Sequence, residues 1–363
     1  MAEDKRLTFQ ETFHLIKLPA DPSRNVDRYM STRAAYVPGV EIFSSMAVPN
    51  KAAFGGVVYG QAALATCRAM REIEDKKKIK PSERLGLHTI HGYFTAVGMG
   101  DRPFIHEVAP TAVTRAFTTM SVTAFQPSTP SSNPEKDHFP IEDASLPPGP
   151  TSFTAMCSFK ASEPHSKGVS IQEPPPQIRF ASILNSRPPQ DWPPSPIIDI
   201  EGYMDLDGAD QVGQFPVVDM KKVDMRAFNK DKPVHERVEL VLYRLLRPLP
   251  ADGTDGYDAN AHVVAHAFTA DRNGLLTAGN HLGFGHSFGR AATLSYSFVM
   301  HVNADEAVIR EDEWWIQEMT FPRAGAGRGI VESKIWSPDG VHVATEYQDG
   351  LIRGYEERKR GKL

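Results

Sequence analysis

The sequence predicts an α+β fold in which one small unit is written twice, because two separated stretches share one order of elements. In residues 54–125, Phe54-Gly55-Gly56 opens into a small-residue helix (Gln61-Ala62-Ala63-Leu64-Ala65), and strands follow at 87–96 and 116–125. In residues 261–353, a helix at 261–268 is followed by Asp271 and then by strands at 291–302, 313–320, 329–336 and 341–347. A helix followed by an antiparallel meander buries its apolar face in the sheet, and its recurrence points to duplication. The expected architecture is a double hotdog, two helices each wrapped by a curved antiparallel sheet in one chain. Its functional site is expected at the seam between the units.

The elements follow from the chain in order. Residues 1–165 read as the first unit. A strand at 10–18 precedes the helix, and strands at 116–125 and 152–160 carry apolar or small residues at alternate positions. Between those strands, 127–150 is rich in proline, serine and charge, and reads as a long hairpin insertion rather than a boundary. Residues 166–230 read as a Pro-rich linker (Pro174-Pro175-Pro176, Pro193-Pro194) and an irregular connection packed on the outside. Residues 231–363 form the second unit. Val238, Leu240, Leu242 and Leu245 suit a strand, Asp258 or Asn260 suits a helix cap, and Ser337-Pro338-Asp339-Gly340 suits a turn.

Composition narrows the function. The 363 residues are 40% hydrophobic and 23% charged, with a net charge of −5. That is an ordinary globular balance with no basic footprint for nucleic acid, and the runs at 76–80 and the C-terminus read as solvated surface. The two cysteines, Cys67 and Cys157, are too few for a disulfide framework. No apolar run reaches the roughly 18 residues that a membrane span needs. The tail Gly361-Lys362-Leu363 is close to the Ser-Lys-Leu peroxisomal address, so a peroxisomal location is expected, and a cytoplasmic one otherwise.

No phosphate loop, dinucleotide fingerprint or metal-spaced cysteine pair is present, and neither a metal nor a cofactor is expected. Gly285-His286-Ser287-Phe288-Gly289 fits Gly-x-Ser-x-Gly, but a nucleophile elbow needs a strand before the serine and a helix after it. Here a glycine-rich loop precedes it and a strand follows. Asp271 follows a helix, Thr293 enters an apolar strand and Gln348 ends one. On spacing alone these are a turn residue, a β-former and a strand end. At a seam, the same three could hold and orient one water.

The chain resembles the acyl-CoA thioesterase II family, the double-hotdog thioesterases of bacteria and peroxisomes, over both halves. Phe54-Gly55-Gly56-Val57-Val58-Tyr59-Gly60-Gln61-Ala62 is similar to the family's Phe-Gly-Gly-Gln-x-x-Gly-Gln-Ala, with Val57 in place of the first glutamine. Leu87-His88-Thr89-Ile90-His91-Gly92-Tyr93-Phe94 resembles Val-His-Ser-x-His-x-Tyr-Phe. Ala292-Thr293-Leu294-Ser295-Tyr296-Ser297 resembles Ala-Thr-Ile-Asp-His-Ser, and Gln348-Asp349-Gly350-Leu351-Ile352-Arg353 resembles Gln-Glu-Gly-Val-x-Arg.

The resemblance implies hydrolysis of an acyl-CoA to free acid and CoA by a water held by Asp271, Thr293 and Gln348. It implies His88 near the substrate, and a homodimer or higher homo-oligomer. Gly55, Gly56 and Gly60 would let the start of the first helix approach the substrate. Departures such as Ser295-Tyr296 for Asp-His fall on a strand expected to face the acyl chain. For the CoA phosphates the sequence offers Arg290, Arg323, Arg328 and Lys334 without choosing among them. Alternatives are a thioesterase for carrier-protein-bound or secondary-metabolite chains, and a non-catalytic acyl-CoA-binding protein. A hydratase is disfavoured because the position five after Asp271 is Leu276 rather than histidine.

Overall fold

The computed structural model describes residues 6–21, 26–39, 52–133, 138–164, 169–201, 215–250 and 254–354. Their strands form one antiparallel twelve-stranded sheet in the order β1-β2-β4-β5-β6-β3-β9-β12-β11-β10-β8-β7. The first six are β1 (Leu15–Asp21), β2 (Val26–Ser31), β3 (Gly86–Phe94), β4 (Ile105–Val113), β5 (Phe117–Pro127) and β6 (Pro148–Lys160). The second six are β7 (Val218–Lys222), β8 (Val238–Leu245), β9 (Phe288–Met300), β10 (Trp315–Gly325), β11 (Arg328–Trp336) and β12 (His342–Gly354). Each half of the chain thus supplies half of the sheet, and β3 pairs β9 across the joint, Thr89 opposite Val299 and Tyr93 opposite Ser295. Two helices held against one continuous antiparallel sheet make this the double-hotdog α+β fold.

Two helices occupy the concave face. In α1 (Gly55–Lys76), Ala62, Ala63, Ala65 and Ala69 are wholly buried. In α2 (Ala259–Ala270), Ala265 and Ala267 are equally enclosed. Small side chains let the helices approach each other closely, so that the Tyr59 hydroxyl donates to the Ala267 carbonyl at 2.5 Å. Phe54, Phe215 and Phe13 close around Phe268, with ring centroids 5.0–5.5 Å away. Asp258 caps α2 by accepting from the Asn260 N–H at 3.1 Å.

The helices end differently. α1 runs unbroken for 22 residues, whereas α2 stops after 12. Asn273, at φ 59°, then turns the chain into α3 (Gly274–His281). Beside the start of α2 the space is filled, since Arg71 lies 3.5 Å from Asp258 and the Leu87 N–H donates to Asn260 Oδ1 at 2.7 Å.

Several elements depart from the sequence expectations. The strand expected at 10–18 begins as a single helical turn, Phe9–Thr12, because Thr8 and Glu11 form a reciprocal capping box, and β1 starts only at Leu15. β4 was not anticipated: Pro110 interrupts its alternation, and the register shifts between Pro110 and Ala112. Within 202–231, residues 202–214 lie outside the described residues, and the remainder holds β7 and the turn Arg226–Asn229 instead of irregular chain.

The Pro-rich stretch folds into short turns whose Phe180 and Trp192 cover Leu240, Ile316 and Trp336 on the outer face of the sheet. This explains why β8 is apolar on both faces. Arg179 closes the cover with a two-pronged pair to Glu318, at 2.8 and 2.5 Å, and Glu318 also accepts from Trp336 Nε1 at 2.9 Å. Beyond β5, the loop starting at 128 returns to the body of the protein, where Phe139 is buried and its N–H donates to the Thr32 carbonyl at 2.6 Å.

Candidate active site

The site lies where the sheet splits. β3 pairs β9 only from Thr89 to Tyr93, while β9 continues beyond Ser295 to Phe288, so among the described residues its first residues have no strand neighbour on that side. A cavity of about 590 Å³ opens in the gap. One bank is Phe288–Leu294 and the other Phe94–Gly98, with Ile197, Ile198 and Ile200 of the connection forming a further wall. At its floor are the start of α1 and the turn that follows α2.

That turn carries Asp271, and Gln348 faces it from β12. The Gln348 Nε2 donates both to Asp271 Oδ1 and, at 2.8 Å, to Thr293 Oγ1. Thr293 reaches this position through a bulge. Ser295 pairs Asp349 and Thr293 pairs Gly350, which leaves Leu294 as the extra residue in β9. The bulge reverses the in–out alternation after the buried Tyr296 and turns Thr293 to the cavity. Burial pushes the Asp271 carboxyl up to about 8, while the Gly56 N–H and the Gln348 amide pull it the other way. Asp271 therefore takes up a proton near neutral pH, as a general base must.

The four further candidates separate. Gly55 lines the cavity, and a Cβ there would stand 3.1 Å from Asp271 Oδ2 and 3.2 Å from the Phe94 ring. Gly56 presents its N–H to Asp271. Gly60 lies one turn further along α1 and serves packing, since a Cβ would come within 2.5 Å of Phe13. His88 does not line the cavity. Its Nδ1 is 3.3 Å from Ser158 Oγ, its ring packs near Phe117, and burial lowers its pKa. Ser287 is exposed in a 3-10 turn, so the Gly-x-Ser-x-Gly match has no elbow around it.

Sequence reasoning missed Arg272 and Asn273, which both donate to the Pro196 carbonyl, at 2.6 and 2.9 Å, and tie the isoleucine wall to the Asp271 turn. The Asn273-Gly274 pair was the available signal. It also missed Glu346, on the same face of β12 as Gln348, fully buried and with its carboxyl pushed well above the ordinary range by burial. Tyr296, expected to face the acyl chain, instead stacks on Tyr59 with ring centroids 3.8 Å apart, and its hydroxyl donates to the Ala267 carbonyl at 2.8 Å. The departure from Asp-His at this position thus belongs to the packing between the helices.

Known proteins similar to this chain include thioesterases. The family model for the acyl-CoA thioesterase C-terminal domain matches residues 207–352. Acyl-coenzyme A thioesterase 8 of Homo sapiens is 25% identical over 323 residues, covering 87% of this chain and 85% of that protein. Its Mus musculus counterpart is 26% identical over 322 residues, covering 85% and 83%. Among solved structures, acyl-CoA thioesterase II TesB2 from Mycobacterium marinum superposes with a TM-score of 0.59 at 21% identity, over 96% of this chain and 98% of that one. A putative thioesterase II from Thermobifida fusca gives 0.57 at 15% identity, over 96% and 98%. The chain is thus similar to acyl-CoA thioesterases over most of its length, and residues 207–352 match the C-terminal domain of that family.

Proposed function

We propose that the protein hydrolyses acyl-CoA thioesters by direct attack of one water held by Asp271, Gln348 and Thr293. The observation that carries this reading is the Gln348 amide, which donates to both Asp271 and Thr293 Oγ1 at the cavity floor. Asp271, ionised, accepts the proton as the water oxygen bonds to the thioester carbon, and the Thr293 hydroxyl and Gln348 fix the water's direction. The carbonyl oxygen becomes an oxyanion. The first turn of α1 meets it, because its N-cap Phe54 supplies no side-chain acceptor and the helix dipole is positive there. Collapse breaks the carbon–sulfur bond, and the proton held by Asp271 passes to the leaving thiolate. No acyl-enzyme forms.

Thiol release from a series of acyl-CoAs of graded chain length tests the reading, with Ser287→Ala beside the wild type. Steady release that survives Ser287→Ala supports water attack. Tight acyl-CoA binding with no release from any chain length favours a binding protein instead.

The tail Gly361-Lys362-Leu363, which lies outside the described residues, supports a peroxisomal location. A fluorescent reporter ending in residues 352–363 that stays diffuse in the cytosol rejects it. Among the described residues β1 ends the sheet, and this edge supports a homodimer, since an unpaired strand edge invites pairing with a second copy. Light scattering at the monomer mass over the micromolar range excludes it.

A further inference from the structure

The four cations that the sequence offers for the phosphates, together with Arg353, fall into two groups. Arg328 is engaged by Asp349 at 3.3 Å, and Lys334 by Glu173 and, at 3.7 Å, by Glu332. The side chains of Arg290, Arg323 and Arg353 make no hydrogen bond or ion pair with any described residue.

The fold nevertheless gathers these three. Arg290 of β9 stands directly opposite Arg353 of β12. Arg353 lies along the β10–β11 hairpin, its Nε 3.2 Å from the point where a Cβ on Gly327 would sit. Arg323 belongs to the β10 arm of that hairpin, with its Nη2 3.8 Å from the matching point on Gly325. Like charges directly opposed in a sheet repel. Here no described carboxylate offsets them. Arg290 also lines the cavity, three residues along β9 from Thr293, about 10 Å at the rise of a strand. A row of unsatisfied guanidinium groups therefore leads outward from the cavity, and planar guanidinium forks match phosphate oxygens.

We propose that Arg290, Arg353 and Arg323 bind the phosphates at the nucleotide end of a CoA thioester. The phosphates stay outside while the pantetheine arm passes through the gap between β3 and β9 and the thioester reaches Asp271. This rests on the thioesterase reading. A phosphopantetheine arm on a carrier protein shares the phosphate chemistry but offers a single phosphodiester, whereas CoA brings several charges to match three arginines. Arg328 and Lys334, already neutralised, are not part of the row.

The test is calorimetric titration of the wild type, Arg290→Ala/Arg353→Ala, Arg290→Lys/Arg353→Lys and Arg323→Ala with adenosine 3′,5′-bisphosphate, and separately with 4′-phosphopantetheine. The bisphosphate should bind the wild type and weaken with rising salt. The double alanine variant should bind it about tenfold or more weakly, since charge-assisted contacts to phosphate are lost. The lysine variant should fall between, and Arg323→Ala, further from the cavity, should lose less than the pair. Thermal unfolding of each variant checks folding.

No binding to the wild type, or equal binding by the folded double alanine variant, overturns the proposal. 4′-Phosphopantetheine binding more tightly than the bisphosphate overturns the assignment to CoA in favour of a carrier. Thiol release from an acyl-N-acetylcysteamine, which has no phosphate, reads hydrolysis separately. If that release is absent while the bisphosphate still binds through the arginines, the hydrolytic reading fails and the phosphate site stands.

Discussion

Replacing Asp271 with asparagine should make the protein more stable and nearly inactive at once. The carboxyl titrates near 3.8 when solvated and at about 8 in the fold. Because the folded value is the higher one, its contribution to stability is intact below about 3.8 and is lost progressively as the pH rises to about 8. At pH 7 the loss spans roughly three pH units, or roughly 4 kcal/mol at 1.36 kcal/mol per unit. Asparagine removes that dependence but turns an amide toward the Gln348 amide, at a cost of about 1 kcal/mol or more for the disrupted hydrogen bond. The net expectation is a gain of about 2–3 kcal/mol at pH 7–8 that shrinks toward pH 4. Activity should fall about 10²–10⁴-fold, the usual worth of a positioned general base. Urea unfolding at pH 5 and pH 8, with thiol release on the same samples, reads both effects. Retained activity, or a stability difference that does not grow with pH, would refute the buried-base argument.

Three further outcomes follow from the same geometry. On the proposed mechanism, in which ionised Asp271 is the active form, the wild-type kcat/KM should climb with pH and level off above about 8; a flat profile between pH 6 and 9 contradicts it. Thr293→Val should lower kcat about tenfold or more if the hydroxyl is what matters, whereas deleting Leu294 should restore regular pairing in β9 with Thr293 still opposite Gly350 and facing the cavity, and should cost less. Glu346→Gln should stabilise the fold more at pH 8 than at pH 5, since the buried carboxyl is held well above its ordinary range and becomes costlier to keep neutral as pH rises; equal effects at both pH values would place Glu346 in water.

The parts legible in the sequence were those whose pattern is local. The glycine-opened, alanine-rich α1 and the alternating strands of the second unit declare themselves through periodicity. The turn at Ser337–Gly340 does so through its residues, and the Gly340 N–H donates to the Ser337 carbonyl at 3.0 Å. What stayed hidden depends on long-range pairing. Pro110 hides β4, because a proline within a strand reads as a break until a register shift absorbs it. Thr293 reads as an ordinary strand threonine, and only the Leu294 bulge shows why it faces the cavity. Ile197, Ile198 and Ile200 lie in a stretch that reads as linker and become a cavity wall because Arg272 and Asn273 hold the Pro196 carbonyl. Tyr296 illustrates the opposite error, a strand position assigned to substrate that the second helix had already claimed.

The unequal ends of the two helices give the duplicated chain a handed interior. A symmetric pair of identical units would present two equivalent junctions and would have to build both from the same residues. Here one junction is broken open after α2, while its counterpart beside the start of α2 is closed by the unbroken α1 and by Arg71 against Asp258. On the proposed reading, one junction serves chemistry and the other support. A tight-binding transition-state mimic should therefore saturate at one molecule per chain rather than two, and neither half of the chain expressed alone should turn over substrate.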